Sequence, residues 1–272
     1  MPKLTPKTYH TKKNTYLTNS KISLFLKSKE AFYKRYVSFE DTEGETSPSI
    51  MIGKAVDLAF EKGKLSAIDK KFCCMGLKEY KESGDKRERL TEEQMEKAKV
   101  MAEKILSAPF YKEYKRSRQR NINNPPHARF QMVFTDELLK LAGMIDVITD
   151  DYSGSNSIIY IDDLKTCAPM AMKSKKSYFY HMLDYGYFRQ LAIYKHLVKL
   201  QDPTARVVCR HIVIGSGDYY PIKLFTISDK LIDREWPFIE MMIKAIREEK
   251  DFIDPVPTWD DAILITNPDD NN

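Results

Sequence analysis

The sequence predicts an α/β or α+β domain built on one principal core. Three observations carry this reading: helix-patterned segments lead the chain, strand-length apolar runs crowd residues 127–230, and a helical pattern interrupts those runs. At 272 residues and 42% apolar content the chain can bury a sizeable core. Its net charge of +5 permits a nucleic-acid partner and equally suits an ordinary lysine-rich protein. There is no charged-then-apolar leader and no run of about 18 apolar residues, so a cytoplasmic protein without a membrane partner is expected. Cys73, Cys74, Cys167 and Cys209 form no CxxC spacing, which argues against a zinc site or a disulfide framework.

In chain order, residues 1–18 read as a flexible, basic N-terminal arm, and residues 19–254 as the folded domain. Leu24, Phe25, Phe32, Tyr33 and Tyr36 repeat at helical spacing behind an Asn19 or Ser20 N-cap, predicting one helix. After a loop over 41–49, residues 51–63 predict a second helix closed near Gly63. Gly53 within it would let another backbone come close, and Asp57 and Glu61 share a face, as a solvated acidic pair also would. Residues 64–124 form a charged, mostly helical insertion, with a helix from Thr91 and then the basic cluster Lys112, Lys115, Arg116, Arg118 and Arg120. That cluster suits a phosphate backbone, or simply an exposed helix end. Residues 128–134 and 138–148 read as a hairpin turning at Thr135–Glu137, and residues 157–166 as a third strand. A helix over 185–199, a hairpin over 205–228 and a long helix near 229–250 follow. The remainder, 255–272, reads as an extended acidic tail.

The chemistry concentrates in the third strand. Residues i and i+2 of a strand point to one face, so Asp163 and Lys165 project together, and a hairpin would bring Asp146 beside them. Two carboxylates and an ammonium converging in one pocket suit a hard divalent cation and a phosphodiester. An Asp/Glu-x-Lys pattern alone means little, because it recurs at Asp69, Glu79, Glu113 and Glu248 in charged, helical stretches. The 163–165 copy ends the apolar run Ile158–Ile161, where charges are costly unless paired or metal-bound; a structural ion pair is the competing reading. Gln190 and Tyr194, four residues apart, share one face of the following helix.

In this order, Gly53-x-x-x-Asp57, GMID ending at Asp146, DLKT holding Asp163 and Lys165, and RQLAIY holding Gln190 and Tyr194 resemble the PD-(D/E)XK nuclease superfamily, more narrowly its RecB-like and RecE-type phage-recombination exonucleases. The resemblance spans roughly residues 18–250. It implies a restriction-endonuclease-like core, a mixed central β-sheet flanked by helices. It also implies that Asp146, Asp163 and the Leu164 carbonyl bind Mg²⁺ or Mn²⁺. Lys165 would orient or deprotonate the attacking water, its pKa lowered by the metal, while Gln190 and Tyr194 would touch the DNA strand being cut. The helix motif of the family usually carries a histidine ligand; Asp57 stands in that place, and a carboxylate is an acceptable hard ligand. The iron-sulfur relatives carry a cysteine near the first helix, where this chain has Ser28, and three near the C-terminus, where it has none beyond Cys209, so no cluster is expected. The resemblance further implies resection of double-stranded DNA ends with 5′→3′ polarity, a ring-shaped homo-oligomer and a single-strand annealing partner. An endonuclease or defence nuclease on the same core, or a catalytically inactive DNA-binding module, are the alternatives.

Overall fold

A computed structural model describes residues 4–11, 14–40, 47–119, 127–151 and 157–251. The expected acidic tail over 255–272 and Arg120 lie outside the described residues. Four helices lead: α1 (Pro6–Tyr9), α2 (Asn19–Lys27), α3 (Lys29–Tyr36) and α4 (Pro48–Lys62). Next come α5 (Ser66–Lys71), β1 (Phe72–Cys74), α6 (Leu77–Ser83), β2 (Glu88–Leu90), α7 (Glu92–Ser107) and α8 (Pro109–Gln119). The sheet region holds β3 (His127–Asp136), β4 (Leu141–Asp151), β5 (Ile158–Cys167), α9 (Lys175–Asp184), α10 (Tyr187–Gln201), β6 (Arg206–Gly215) and β7 (Ile222–Thr226). Helices α11 (Asp229–Asp233) and α12 (Trp236–Glu248) follow.

Strands β3 to β7 form one five-stranded mixed sheet in sequence order. Neighbours are antiparallel except β5 and β6, which are parallel, so α9 and α10 make the crossover that a parallel pair requires. Helices cover both faces. One core packs α2, α3, α9, α10 and α12 around Ile145, Ile148 and Ile161. The other packs α4, α7 and α8 around Val147, Leu164, Ile212 and Ile214, so the predicted single core is two, back to back. The segment read as an insertion supplies Ile68, Phe72, Leu90, Met101 and Ile105 to the second core and is thus a layer of the fold. On α8, Tyr111, Tyr114 and Ser117 are buried, while Lys112, Lys115 and Arg116 are exposed.

The structure departs from the sequence reading at several helix ends. The single helix expected over 20–36 is two. Ser28 leaves helical geometry at φ −162° and its hydroxyl accepts from the Ala31 N–H, capping α3. The N-cap of α2 is Thr18, not Asn19 or Ser20. Residues 14–18, read as part of a loose arm, are docked: the Leu17 N–H donates to Lys140 O at 2.7 Å, and Leu17 O accepts from the Ala142 N–H at 2.8 Å. The Lys21 ammonium reaches back to the carbonyls of Asn14 and Tyr16, and burial pulls its pKa down to about 8. The long C-terminal helix is divided into α11 and α12, with Pro237 in the first turn of the latter. Among the described residues no helix is long and apolar enough to cross a membrane.

Candidate active site

The site lies where β4 and β5 part. Their antiparallel pairing runs from Asp151↔Ile158 to Val147↔Asp162 and stops there. One step further the ladder would oppose Asp146 to Asp163. Instead the Leu164 N–H donates to Asp146 Oδ2 at 2.9 Å, so a side chain takes the place of a strand partner. The N–H and C=O of one strand residue point to the same side, so the Leu164 carbonyl also faces this gap. The alternation of β4 breaks here as well: Ile145 and Ile148 pack into one core, Val147 into the other. Opposite Asp146 on β3, Gln131 adopts φ +50°, a left-handed conformation uncommon for a non-glycine residue. Its Nε2 donates to Asp146 Oδ1 at 3.1 Å, so both oxygens of Asp146 are oriented by the protein.

Asp163 and Lys165 project to the same face, as their spacing predicts, and form an ion pair. Asp163 is buried; its Oδ2, the oxygen paired with Lys165, also sits 3.6 Å from His211 Nε2. His211, register partner of Asp163 on β6, is fully buried, with Nδ1 2.8 Å from the Tyr178 hydroxyl. Burial first, then Lys165 and His181, hold the imidazole neutral. Lys165 is backed by the ring of Tyr187, 4.6 Å from ammonium to centroid. Asp162, one residue away, faces the opposite side: Arg210 donates to it from Nε at 2.6 Å and from a terminal nitrogen at 2.7 Å, and the Tyr114 hydroxyl donates at 2.7 Å. It anchors the sheet to α8.

Asp57 enters from α4 on the other face of the sheet. Gly53, one turn earlier, is where α4 comes closest to β5: a Cβ there would lie 3.1 Å from Thr166 Oγ1. From α10, Tyr194 reaches the site across Gly143; a Cβ at that glycine would stand 2.8 Å from the Tyr194 ring. The glycine of the GMID segment therefore admits the tyrosine of the helix. Gln190 Nε2 donates to the Tyr194 hydroxyl at 2.7 Å. Tyr9 of α1 adds a hydroxyl close enough for the charge of Asp146 to act on it.

The electrostatics follow from crowding three carboxylates. Burial, then Asp163, pushes Asp146 up to about 7 despite Lys165, Leu164 and Gln131. Burial, then Asp146, raises Asp57 well above the carboxylate range, and burial raises Asp163 against the pull of Lys165. At Lys165 burial would lower the pKa, but Asp163, Tyr187 and Asp146 outweigh burial and hold the amine above its ordinary value.

Asp146 provides a stability prediction. Its folded pKa, about 7, exceeds the roughly 3.9 of an unfolded chain, so the folded state binds the proton more tightly. That contribution is full below pH ~4 and is lost as pH rises through about 7. In chelator, the melting temperature should fall between pH 5.5 and 7.5, and fall less in Asp146→Asn. Equal slopes would contradict the assignment.

Sequence reasoning brings Asp57, Asp146, Asp163, Leu164, Lys165, Gln190 and Tyr194 to one place. It misses Gln131, Tyr178, Tyr187 and His211. Two carried a signal: Gln131 is a polar residue between Phe130 and Met132 in an apolar strand, and Tyr187 stands three residues before Gln190. Among the described residues no group of three His, Cys, Asp or Glu side chains is assembled as a ready-made metal cage. The donor set nevertheless suits a hard cation, being buried carboxylates that repel one another.

Comparison with curated proteins finds no match. Among solved structures, a protein from Eubacterium rectale, named provisionally as an exonuclease, superposes with a TM-score of 0.61. It shares 17% identity, over 91% of this chain and 86% of that one, and so has the same mixed α/β fold. A family model described as a PDDEXK-like domain of unknown function (DUF3799) matches residues 18–252. The chain belongs to that family of PDDEXK-like domains.

Proposed function

We propose that the protein is a metal-dependent deoxyribonuclease that resects double-stranded DNA ends. The observation that carries this reading is the meeting of three mutually repelling carboxylates and one retained ammonium at the parting of β4 and β5. Asp146, Asp163 and the Leu164 carbonyl would hold Mg²⁺ or Mn²⁺, with Asp57 as a further ligand from α4. When bound, such an ion neutralises phosphoryl oxygens and lowers the pKa of a coordinated water.

The residues of the chain do the rest. Leu164 N–H and Gln131 fix the carboxylate plane of Asp146 before any substrate arrives. Lys165, locked between Asp163 and the Tyr187 ring, presents a fixed positive charge to a non-bridging phosphate oxygen as negative charge develops there. Orienting or helping to deprotonate the attacking water is the other role the resemblance implies for Lys165. Gln190 and Tyr194 border the pocket and, in this reading, contact the strand being cut. The 5′→3′ polarity, ring-shaped homo-oligomer and single-strand annealing partner belong to the same proposal and rest on the resemblance to RecE-type exonucleases.

The test uses linear and covalently closed circular duplex DNA, each with Mg²⁺ or with chelator. Release of mononucleotides from the linear form alone, and only with Mg²⁺, is expected. Cutting of the circle would make the protein an endonuclease. DNA binding without cutting, in Mg²⁺ and Mn²⁺ alike, would overturn the enzymatic reading.

A further inference from the structure

The aromatic residues beside Lys165 do not end at the pocket. Tyr187, whose ring lies under the ammonium, also meets His211 edge-on at 5.5 Å. On its other side stands Tyr185, with ring centroids 5.7 Å apart and planes inclined by 32°. Tyr185 in turn lies 4.6 Å from His181 of α9, and His181 lies 5.7 Å from Tyr187, so the three rings form a closed triangle. Gly186 creates it: its φ of +63° reverses the chain between α9 and α10 and sets Tyr185 and Tyr187 side by side.

The inner corner of this triangle touches the site, and the outer corner faces water. Tyr185 is 60% exposed, with Tyr180 at 53% close by in sequence. The core does not require Tyr185, because α9 anchors itself through the buried Tyr178 and Met182. An exposed ring that is fixed from behind by two others, and continuous with the lysine of a phosphodiester site, has the properties of a stacking surface. Every nucleobase offers a π-face to such a ring, whatever the sequence.

Building on the nuclease reading, we propose that Tyr185, backed by His181 and Tyr187, stacks on the base of a nucleotide next to the phosphodiester held at Asp163 and Lys165. The strand entering the site would be unpaired at that nucleotide, its base transferred from the neighbouring pair to the tyrosine. Tyr185 is thus a positioning residue for the strand end.

The test is a double-mutant cycle on kcat/KM. Wild type, Tyr185→Ala and Tyr185→Phe are compared on linear oligonucleotides, either intact or with one abasic residue placed in turn at each of the terminal positions. Tyr185→Ala should lower kcat/KM on intact substrate roughly 5- to 150-fold, the range that base–aromatic stacking spans. Tyr185→Phe should retain most of the activity. At one position the abasic residue should cost the wild type a similar factor and cost Tyr185→Ala less than about twofold, because the contact is already gone. If Tyr185→Ala matches wild type, or every abasic penalty persists in it undiminished, stacking is overturned while the nuclease stands. If wild type cleaves no DNA with Mg²⁺ or Mn²⁺, both readings fall together.

Discussion

Asp163→Asn is expected to lower DNA hydrolysis by about 10²–10³-fold or more while leaving the protein folded. Asp163 is buried beside Lys165, and its spacing from that lysine along β5 directs both groups into the gap. An amide there keeps the shape but removes the negative charge proposed to hold the cation and position Lys165. Folding should survive because the substitution takes one carboxylate from a group in which burial and mutual repulsion already raise the proton affinities. The neighbouring Asp146 remains as a counter-charge for Lys165. Activity assays and thermal melts on the same preparation separate the two effects; loss of activity accompanied by unfolding would count against a purely chemical role.

Asp162→Ala, one residue earlier, should do the opposite. Asp162 is completely buried and takes two hydrogen bonds from Arg210 and one from Tyr114, on the side of the strand away from Asp163 and Lys165. Removing it leaves a guanidinium and a phenol without their acceptor, a change that typically costs about 3–5 kcal/mol. For a chain of this size that corresponds to a fall in melting temperature on the order of 10 °C. What remains folded at low temperature should still cleave DNA at near wild-type specific activity. The two adjacent aspartates of the IDDLKT strand are thus expected to divide cleanly, one serving stability and the other chemistry. A mild effect of Asp162→Ala on stability would mean that Arg210 finds another partner, Tyr160, whose ring lies 4.3 Å from it, being the nearest candidate.

Much of this was readable from the chain because the relevant signals are local. The i, i+2 rule places Asp163 and Lys165 on one face without knowledge of any neighbour, and the i, i+4 rule does the same for Gln190 and Tyr194. The mixed α/β architecture followed from apolar runs of strand length separated by a helix. What escaped depends on tertiary context. Helix α9 has few apolar residues facing the core, with only Tyr178 and Met182 buried, and its start is marked by a single Ser174 cap. The break at Ser28 interrupts a continuous helical pattern because Ser28 caps α3 better than it would continue α2. Gln131 and His211 matter only through register, since each lies opposite a site aspartate on a neighbouring strand. The carboxylates that flank Lys165 in the fold, and that hold its amine above its ordinary value, were likewise not readable from the strand alone.

Calorimetric titration of Mn²⁺ into the protein at pH 6.5, in two buffers of different ionisation enthalpy, tests the carboxylate centre most directly. Asp146, raised to about 7, is largely protonated at that pH, so cation binding must expel a proton. The account predicts saturable binding with proton release, both lost in Asp146→Asn. An absence of Mn²⁺ binding by the wild type, or binding that Asp146→Asn leaves unchanged, would contradict it.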